Sequence, residues 1–195
     1  MHIIIAVFGL VDLNIILTEI QGVAIVVGNS VEESRGSFNR LFCDEELSLL
    51  LGGRKIIQIN RSLTSQIGAI RGLHYQHSPH AEMKMVRCLK GRVWDVAVDL
   101  RKRSPTFLHY HAQELSAENN QMMIIPEGCA HGFQVLDADS ELLYLHTAAY
   151  APDAEGGFRY DDPLLSIDWP LPVSDISSRD QSHLSLSENY QGLEL

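Results

Sequence analysis

The stretch Arg71-Gly-Leu-His-Tyr-Gln76 offers a guanidinium and an imidazole three residues apart, Lys84 follows with an ammonium, and Pro126-Glu-Gly-Cys-Ala-His131 brings a second imidazole. Imidazole, with an unperturbed pKa of about 6.5, exchanges protons readily near neutrality, so His74 is a candidate general base. In a regular strand Arg71 and Leu73 face one way and Gly72 and His74 the other. Alternation therefore does not bring Arg71 and His74 into one pocket unless a bulge intervenes. Lys84 sits in the apolar run Met83-Lys-Met-Val86. Pointing inward, its ammonium must meet a pocket, an acid or an anion, because burial without a partner is costly; pointing outward, it is simply solvated. Asp95 and Asp99 carry the same two options.

The elements that must position these groups read as strands. Apolar and aromatic runs recur between turn signals at Val23 to Val27, Ile56 to Asn60, Ala69 to Tyr75, Met83 to Leu89, Arg92 to Leu100, Thr106 to Leu115, Gln121 to Ile125, Gly132 to Leu136 and Glu141 to Ala149. Short, regularly spaced strands of this kind predict an all-β sandwich or barrel. In the fifth run Val93, Asp95, Ala97 and Asp99 alternate with Trp94, Val96, Val98 and Leu100, which places Asp95 on the pocket side and among the candidate substrate contacts. Helical character is confined to Glu45 to Leu51 and to short helices in the Ser-rich stretch from Ser174. Tyr150-Ala-Pro-Asp-Ala-Glu155-Gly-Gly and Asp161-Asp-Pro read as loops at a barrel mouth.

With 195 residues the chain suits one buried domain, and a formal charge of −10 disfavours nucleic acid and anionic membrane as partners. Cys43, Cys88 and Cys129 form no CxxC pair, as expected for reduced thiols in a cytoplasm. Residues 1–16 read as an N-terminal extension, a strand or a poorly ordered stretch and neither signal peptide nor membrane span, ahead of a single domain over 17–195.

Pro126-x-Gly128-x-x-His131 resembles the second short motif of the cupin superfamily. The first cupin motif is not matched, since His74, His77, His80 and Glu82 lack the His-x-His spacing of its metal ligands, which sets the sequence against a metal-dependent cupin. The ordered set of motifs from about Leu17 to Asp180 resembles the dTDP-4-dehydrorhamnose 3,5-epimerase family. It includes Arg35-Gly-x-Phe38, Gln58-x-Asn60, Arg71-Gly-Leu-His-Tyr-Gln76, Lys84-x-Val-Arg87, Gly91-x-Val-Trp-Asp-Val-Ala-Val-Asp-Leu-Arg101, Pro126-Glu-Gly to His131-Gly-Phe133, Tyr144, Tyr150-Ala-Pro, Ile167-Asp-Trp-Pro170 and Ser178-Arg-Asp180.

That resemblance implies a cupin jelly roll that dimerises by strand exchange or sheet extension and epimerises a nucleotide-linked 4-keto-6-deoxyhexose at C3 and C5. His74 would be the base, with Asp180 on its other ring nitrogen; Lys84 would stabilise the enolate oxygen, and Tyr144 would return a proton from the opposite face. Arg71, and Arg35 from the neighbouring subunit, would meet the diphosphate. Gln58, Asn60, His131, Glu155 and Arg179 fall at substrate-contact positions and Tyr150 at the one that stacks on the base. Neither nicotinamide nor metal is implied.

The chain departs from the family pattern at several positions. Arg40 stands where Glu is usual, Glu82 where Gln is usual, Arg103 where Gly is usual, and Cys129 replaces an aromatic. The Arg40 inversion bears on which sugar or nucleotide is taken, with a single-centre epimerase or a CDP- or GDP-sugar enzyme as the near alternatives. A non-catalytic nucleotide-sugar-binding cupin is the alternative from another class.

Overall fold

The computed structural model describes residues 4–5 and 13–195. Of the extension expected over residues 1–16, residues 1–3 and 6–12 lie outside the described residues, whereas residues 13–16 belong with Leu17 to a strand of the main sheet. In chain order the strands are β1 (Ile4–Ile5), β2 (Leu13–Leu17), β3 (Ala24–Gly28), β4 (Ser30–Glu33), β5 (Gly36–Asn39), β6 (Gln58–Thr64) and β7 (Ile70–Gln76). There follow β8 (Lys84–Lys90), β9 (Arg92–Asp99), β10 (Tyr110–Ser116), β11 (Gln121–Ile125), β12 (Cys129–Val135), β13 (Ser140–His146) and β14 (Glu155–Gly157). The helices are single turns, α1 (Ser48–Leu51) and α2 (Ser178–Gln181).

Seven strands form one sheet in the order β1-β2-β3-β11-β8-β13-β6, and five form another in the order β10-β9-β12-β7-β14. The strand pairings in both are antiparallel. The two sheets face each other as the sandwich of a cupin jelly roll, while β4 and β5 make a separate ribbon. Each of the nine runs predicted from sequence overlaps an observed strand. The largest shift of a strand start is at β10, which begins at Tyr110 and not Thr106, because the Ser104 and Thr106 hydroxyls turn back onto the Asp99 carboxylate. Sequence patterning missed β4, β5 and β14.

Between the sheets lies a core that includes Ile25, Val86, Val93, Ala97, Met123, Phe133 and Leu142. The outer face of the larger sheet is covered by Leu47 and Leu51 at α1, which pack with Leu13, Val26, Met85 and Ile124. The outer face of the smaller sheet is covered by the C-terminal segment, where Leu165 and Leu186 meet Leu73, Val96, Val98 and Leu100. Burial on both faces explains why β3 and β11 read as apolar runs and not as alternating strands. As the alternation in β9 predicts, Val93 and Ala97 point between the sheets with Asp95, whereas Val96 and Val98 point to the covered outside.

One end of the sandwich remains open. Its walls are β6, β8 and β13 of the larger sheet and β7 and β12 of the smaller one, and the segment Asp175 to Asp180 closes one side.

Candidate active site

The first requirement is that Arg71 and His74 share a face, and a bulge meets it. Opposite β12, His74 pairs with His131 while Arg71 pairs with Phe133, so three steps along β7 match two along β12. The extra residue reverses the parity of the strand, and both side chains line the same cavity. Gly72 sits inside the bulge with φ +126°, and a Cβ there would lie 2.5 Å from the Gly132 Cα. Only glycine fits that approach.

The second requirement is a partner for the imidazole. Ile70 N–H donates to the Asp175 carbonyl, which ties the C-terminal segment to β7. The Ser177 hydroxyl then accepts from the Asp180 N–H at the start of α2. The Asp180 carboxylate is thereby delivered with one oxygen 2.8 Å from His74 Nε2 and the other accepting the Gly72 N–H at 3.1 Å. Burial disfavours this anion, but the hydrogen bonds and the imidazole hold its carboxyl below the usual carboxylate range.

Tyr144 lies across the cavity on β13, with its hydroxyl 3.1 Å from Ser62 Oγ. Burial pushes its phenol far up, so it stays protonated at any ordinary pH. Lys84, on the neighbouring β8, has its Nζ 3.4 Å from Glu82 Oε1. His131 is buried with Nε2 2.7 Å from Asp95 Oδ1, and burial lowers its pKa despite that carboxylate.

The cavity measures about 750 Å³ and adjoins a smaller one of about 160 Å³ that shares Asn60, His74, Lys84 and His146. This is the size of a small-molecule site. Gln58 and Glu155 line the smaller part and Arg179 the larger. Tyr150 stands half-exposed at the mouth, its hydroxyl donating to Glu155 Oε2 at 2.6 Å, and Arg179 closes on the same carboxylate. A separate depression beside Arg101, Lys102 and Leu195 holds none of the candidate residues. Its Arg101 and Lys102 are already paired with Asp99 and Glu194.

Three candidates are placed elsewhere. Arg35 is exposed at the β4–β5 turn, ion-paired with Glu33, and Arg40 is ion-paired with Glu46; neither lines the cavity of its own chain. Asp95 is fully buried behind His131 and not at the cavity wall, so it reaches the site through that imidazole. His77 and His80 lie on an exposed turn, away from any grouping with Glu82 and His74. Among the described residues, the group whose potential ligand atoms lie within 4.8 Å of one another is His74, Asp180 and His183.

Ser62, His146 and His183 are site neighbours that the sequence reading missed. His146 was within reach of it, since it lies two residues after Tyr144 on the same strand and so shares its face. His183 sits edge-on to His74, with ring centroids 5.7 Å apart, and only the fold brings it there.

A jelly roll of the cupin type whose one cavity is lined by a carboxylate-backed imidazole, an ammonium and, from the facing sheet, a protonated phenol carries the groups that a proton-transferring isomerase needs. The family model described as dTDP-4-dehydrorhamnose 3,5-epimerase matches residues 17–188. The chain belongs to the dTDP-4-dehydrorhamnose 3,5-epimerase family. It is 41% identical to the enzyme of that name from Shigella flexneri over 174 residues, covering 86% of this chain and 93% of that one. The structure of the dTDP-6-deoxy-D-glucose-3,5-epimerase of Legionella pneumophila in complex with dTDP-4-keto-L-rhamnose superposes with a TM-score of 0.86 at 38% identity, covering 94% and 100% of the two chains. ChmJ, a 3'-monoepimerase from Streptomyces bikiniensis solved with dTDP-quinovose, superposes at 0.80 with 30% identity, covering 86% and 85%.

Proposed function

We propose that this enzyme inverts C3 and C5 of a dTDP-linked 4-keto-6-deoxyhexose, converting dTDP-4-dehydro-6-deoxy-D-glucose to dTDP-4-dehydro-L-rhamnose. The observation that carries this reading is the placement of base and acid on opposite walls, His74 on β7 and Tyr144 on β13. His74, with Nε2 held by Asp180, takes a proton from the carbon beside the C4 ketone. Asp180 fixes the tautomer and steadies the imidazolium that forms. Electron density moves to the C4 oxygen, where the Lys84 ammonium stabilises the enolate. The Tyr144 phenol then delivers a proton to the same carbon from the other side, and a proton lost from one face and regained on the other is an inversion.

The nucleotide end of the substrate lies toward Tyr150, Gln58 and Glu155, and Arg71 and Arg179 meet the diphosphate. His131 and Asn60 contact the sugar. With β2 included, the two sheets and the segments that cover them act as one catalytic domain. The enzyme works as a homodimer in which the partner's β4–β5 ribbon brings the partner's Arg35 to the diphosphate. Free thiols at Cys43, Cys88 and Cys129 support a cytoplasmic setting, and no helix among the described residues is long and apolar enough to cross a membrane.

NMR of the protein with dTDP-4-keto-6-deoxyglucose in D2O tests the reading. Deuterium is expected at both C3 and C5; exchange at C3 alone would make it a mono-epimerase, and no exchange with binding retained would make it a binding protein. Activity is expected to survive EDTA and dialysis, because the enolate oxygen is assigned to Lys84. Loss on chelation that one divalent metal restores would overturn that assignment.

A further inference from the structure

Glu82, in the loop that enters β8, keeps its side chain only 10% exposed and has both carboxylate oxygens engaged: Lys84 Nζ lies 3.4 Å from Oε1, and His146 Nδ1 lies 2.7 Å from Oε2. Beyond His146 the contacts continue. Asn60 Nδ2 is 3.4 Å from His146 Nε2, Gln58 Nε2 donates to Asn60 Oδ1 at 3.2 Å, and the Tyr150 backbone N–H donates to Gln58 Oε1 at 3.1 Å.

The directions of these bonds are not independent. Gln58 accepts from a backbone N–H with its oxygen, so its nitrogen must face Asn60. Asn60 accepts there with its own oxygen and turns its nitrogen to His146. His146 Nε2 must then carry a lone pair, which puts the ring proton on Nδ1, where it is donated to Glu82. Every bond in the series runs toward one carboxylate, and Lys84 reaches that carboxylate from the other side.

We propose that Glu82 and His146 are positioning residues, a buried relay that holds the Lys84 ammonium against the cavity wall where the substrate oxygen becomes an enolate. The inference rests on the functional reading above. A lysine has a flexible stem and three equivalent donors, so nothing in its own geometry fixes where the charge sits. Glu82 supplies the fixed point, and His146 holds Glu82 through the oxygen that Lys84 does not use. Burial disfavours the Glu82 anion, but its bonds to His146 and Lys84 hold it below the usual carboxylate range. A carboxylate is required because Lys84 and His146 are two donors that face different oxygens, and glutamine would set an NH2 donor against one of them.

The test is steady-state kinetics of the full chain on dTDP-4-keto-6-deoxyglucose, with circular dichroism to confirm folding. Glu82→Gln is expected to lower kcat about ten- to a hundredfold with KM within about threefold, since misplacing a reacting group by about 1 Å is enough for losses of that size. His146→Leu should fall in the same direction, and His146→Asn, whose amide N–H reaches Glu82 much as Nδ1–H does, should recover most of the loss. In a Lys84→Met background Glu82→Gln should cost nothing further. Equal losses with and without Lys84, or an unchanged kcat in both folded Glu82→Gln and folded His146→Leu, would overturn the relay alone. Should Glu82→Gln fail to fold, the contrast between His146→Leu and His146→Asn decides the question. A wild type that neither turns over nor exchanges the substrate would overturn the functional reading first, and the relay with it.

Discussion

At the scale of single residues, base and acid differ in what their loss leaves behind. His74→Ala removes the proposed base, so deuterium incorporation from D2O should vanish. Tyr144→Phe should slow turnover while leaving some exchange, because His74 can remove and return a proton on one face. Near wild-type exchange in folded His74→Ala would move the base elsewhere. Asp180 gives a second expectation. Its carboxyl is lowered on folding, by bonds from His74 and Gly72 that outweigh burial, and so contributes stability that is full above its unfolded pKa of about 3.9 and is lost as pH falls through the lower folded value. The difference in urea stability between wild type and Asp180→Asn should be full at about pH 5 and shrink toward about pH 2. A difference that held constant over that range would contradict the lowered pKa. His74 and Lys84 were legible as chemistry in the sequence, whereas Tyr144 and Asp180 came only with the family resemblance. The bond from His74 to Asp180 spans 106 positions, and spacing alone could not reveal it.

At the scale of elements, strands were legible and their irregularities were not. The alternation in β9 shows on the page because one of its faces holds Asp95 and Asp99, whereas β7 reads as a plain strand that would separate Arg71 from His74. The bulge that reunites them follows from Gly72 packed against Gly132, a contact between segments 60 positions apart in sequence. Gly72→Ala should therefore damage both fold and site. Its Cβ would press on backbone at a φ of +126°, and the expected loss of stability exceeds about 1 kcal/mol. If the chain relieves the clash by straightening β7, Arg71 and His74 part, and activity should fall by more than the loss of folded protein explains. Equal thermal stability and activity in Gly72→Ala would show that the bulge does not depend on glycine. The β4–β5 ribbon escaped the sequence reading for another reason: it packs on neither core, so Ser30 to Asn39 carries no pattern of burial for a reader to find.

At the scale of the whole molecule, two surfaces are unfinished in one chain. β6 is one edge of the larger sheet, and Ile59 and Leu63 on it are exposed, Ile59 at 61%; an unpaired edge that carries exposed apolar side chains invites another strand. The β4–β5 ribbon stands apart from both sheets and exposes Phe38 at 63%, with Arg35 at its turn. A second copy would satisfy both surfaces and would bring an arginine to a cavity that its own chain's Arg35 does not line. Complementation follows from this arrangement. An Arg35→Ala chain keeps His74 but lends no arginine, and a His74→Ala chain lends the arginine but lacks the base, so a mixed dimer holds one complete site and one doubly deficient site. With free exchange of subunits, half of the dimers are mixed, and activity should rise to about a quarter of wild type per site. No rescue despite demonstrated exchange, or full activity of a species that sediments as a monomer at assay concentration, would rule out the shared site.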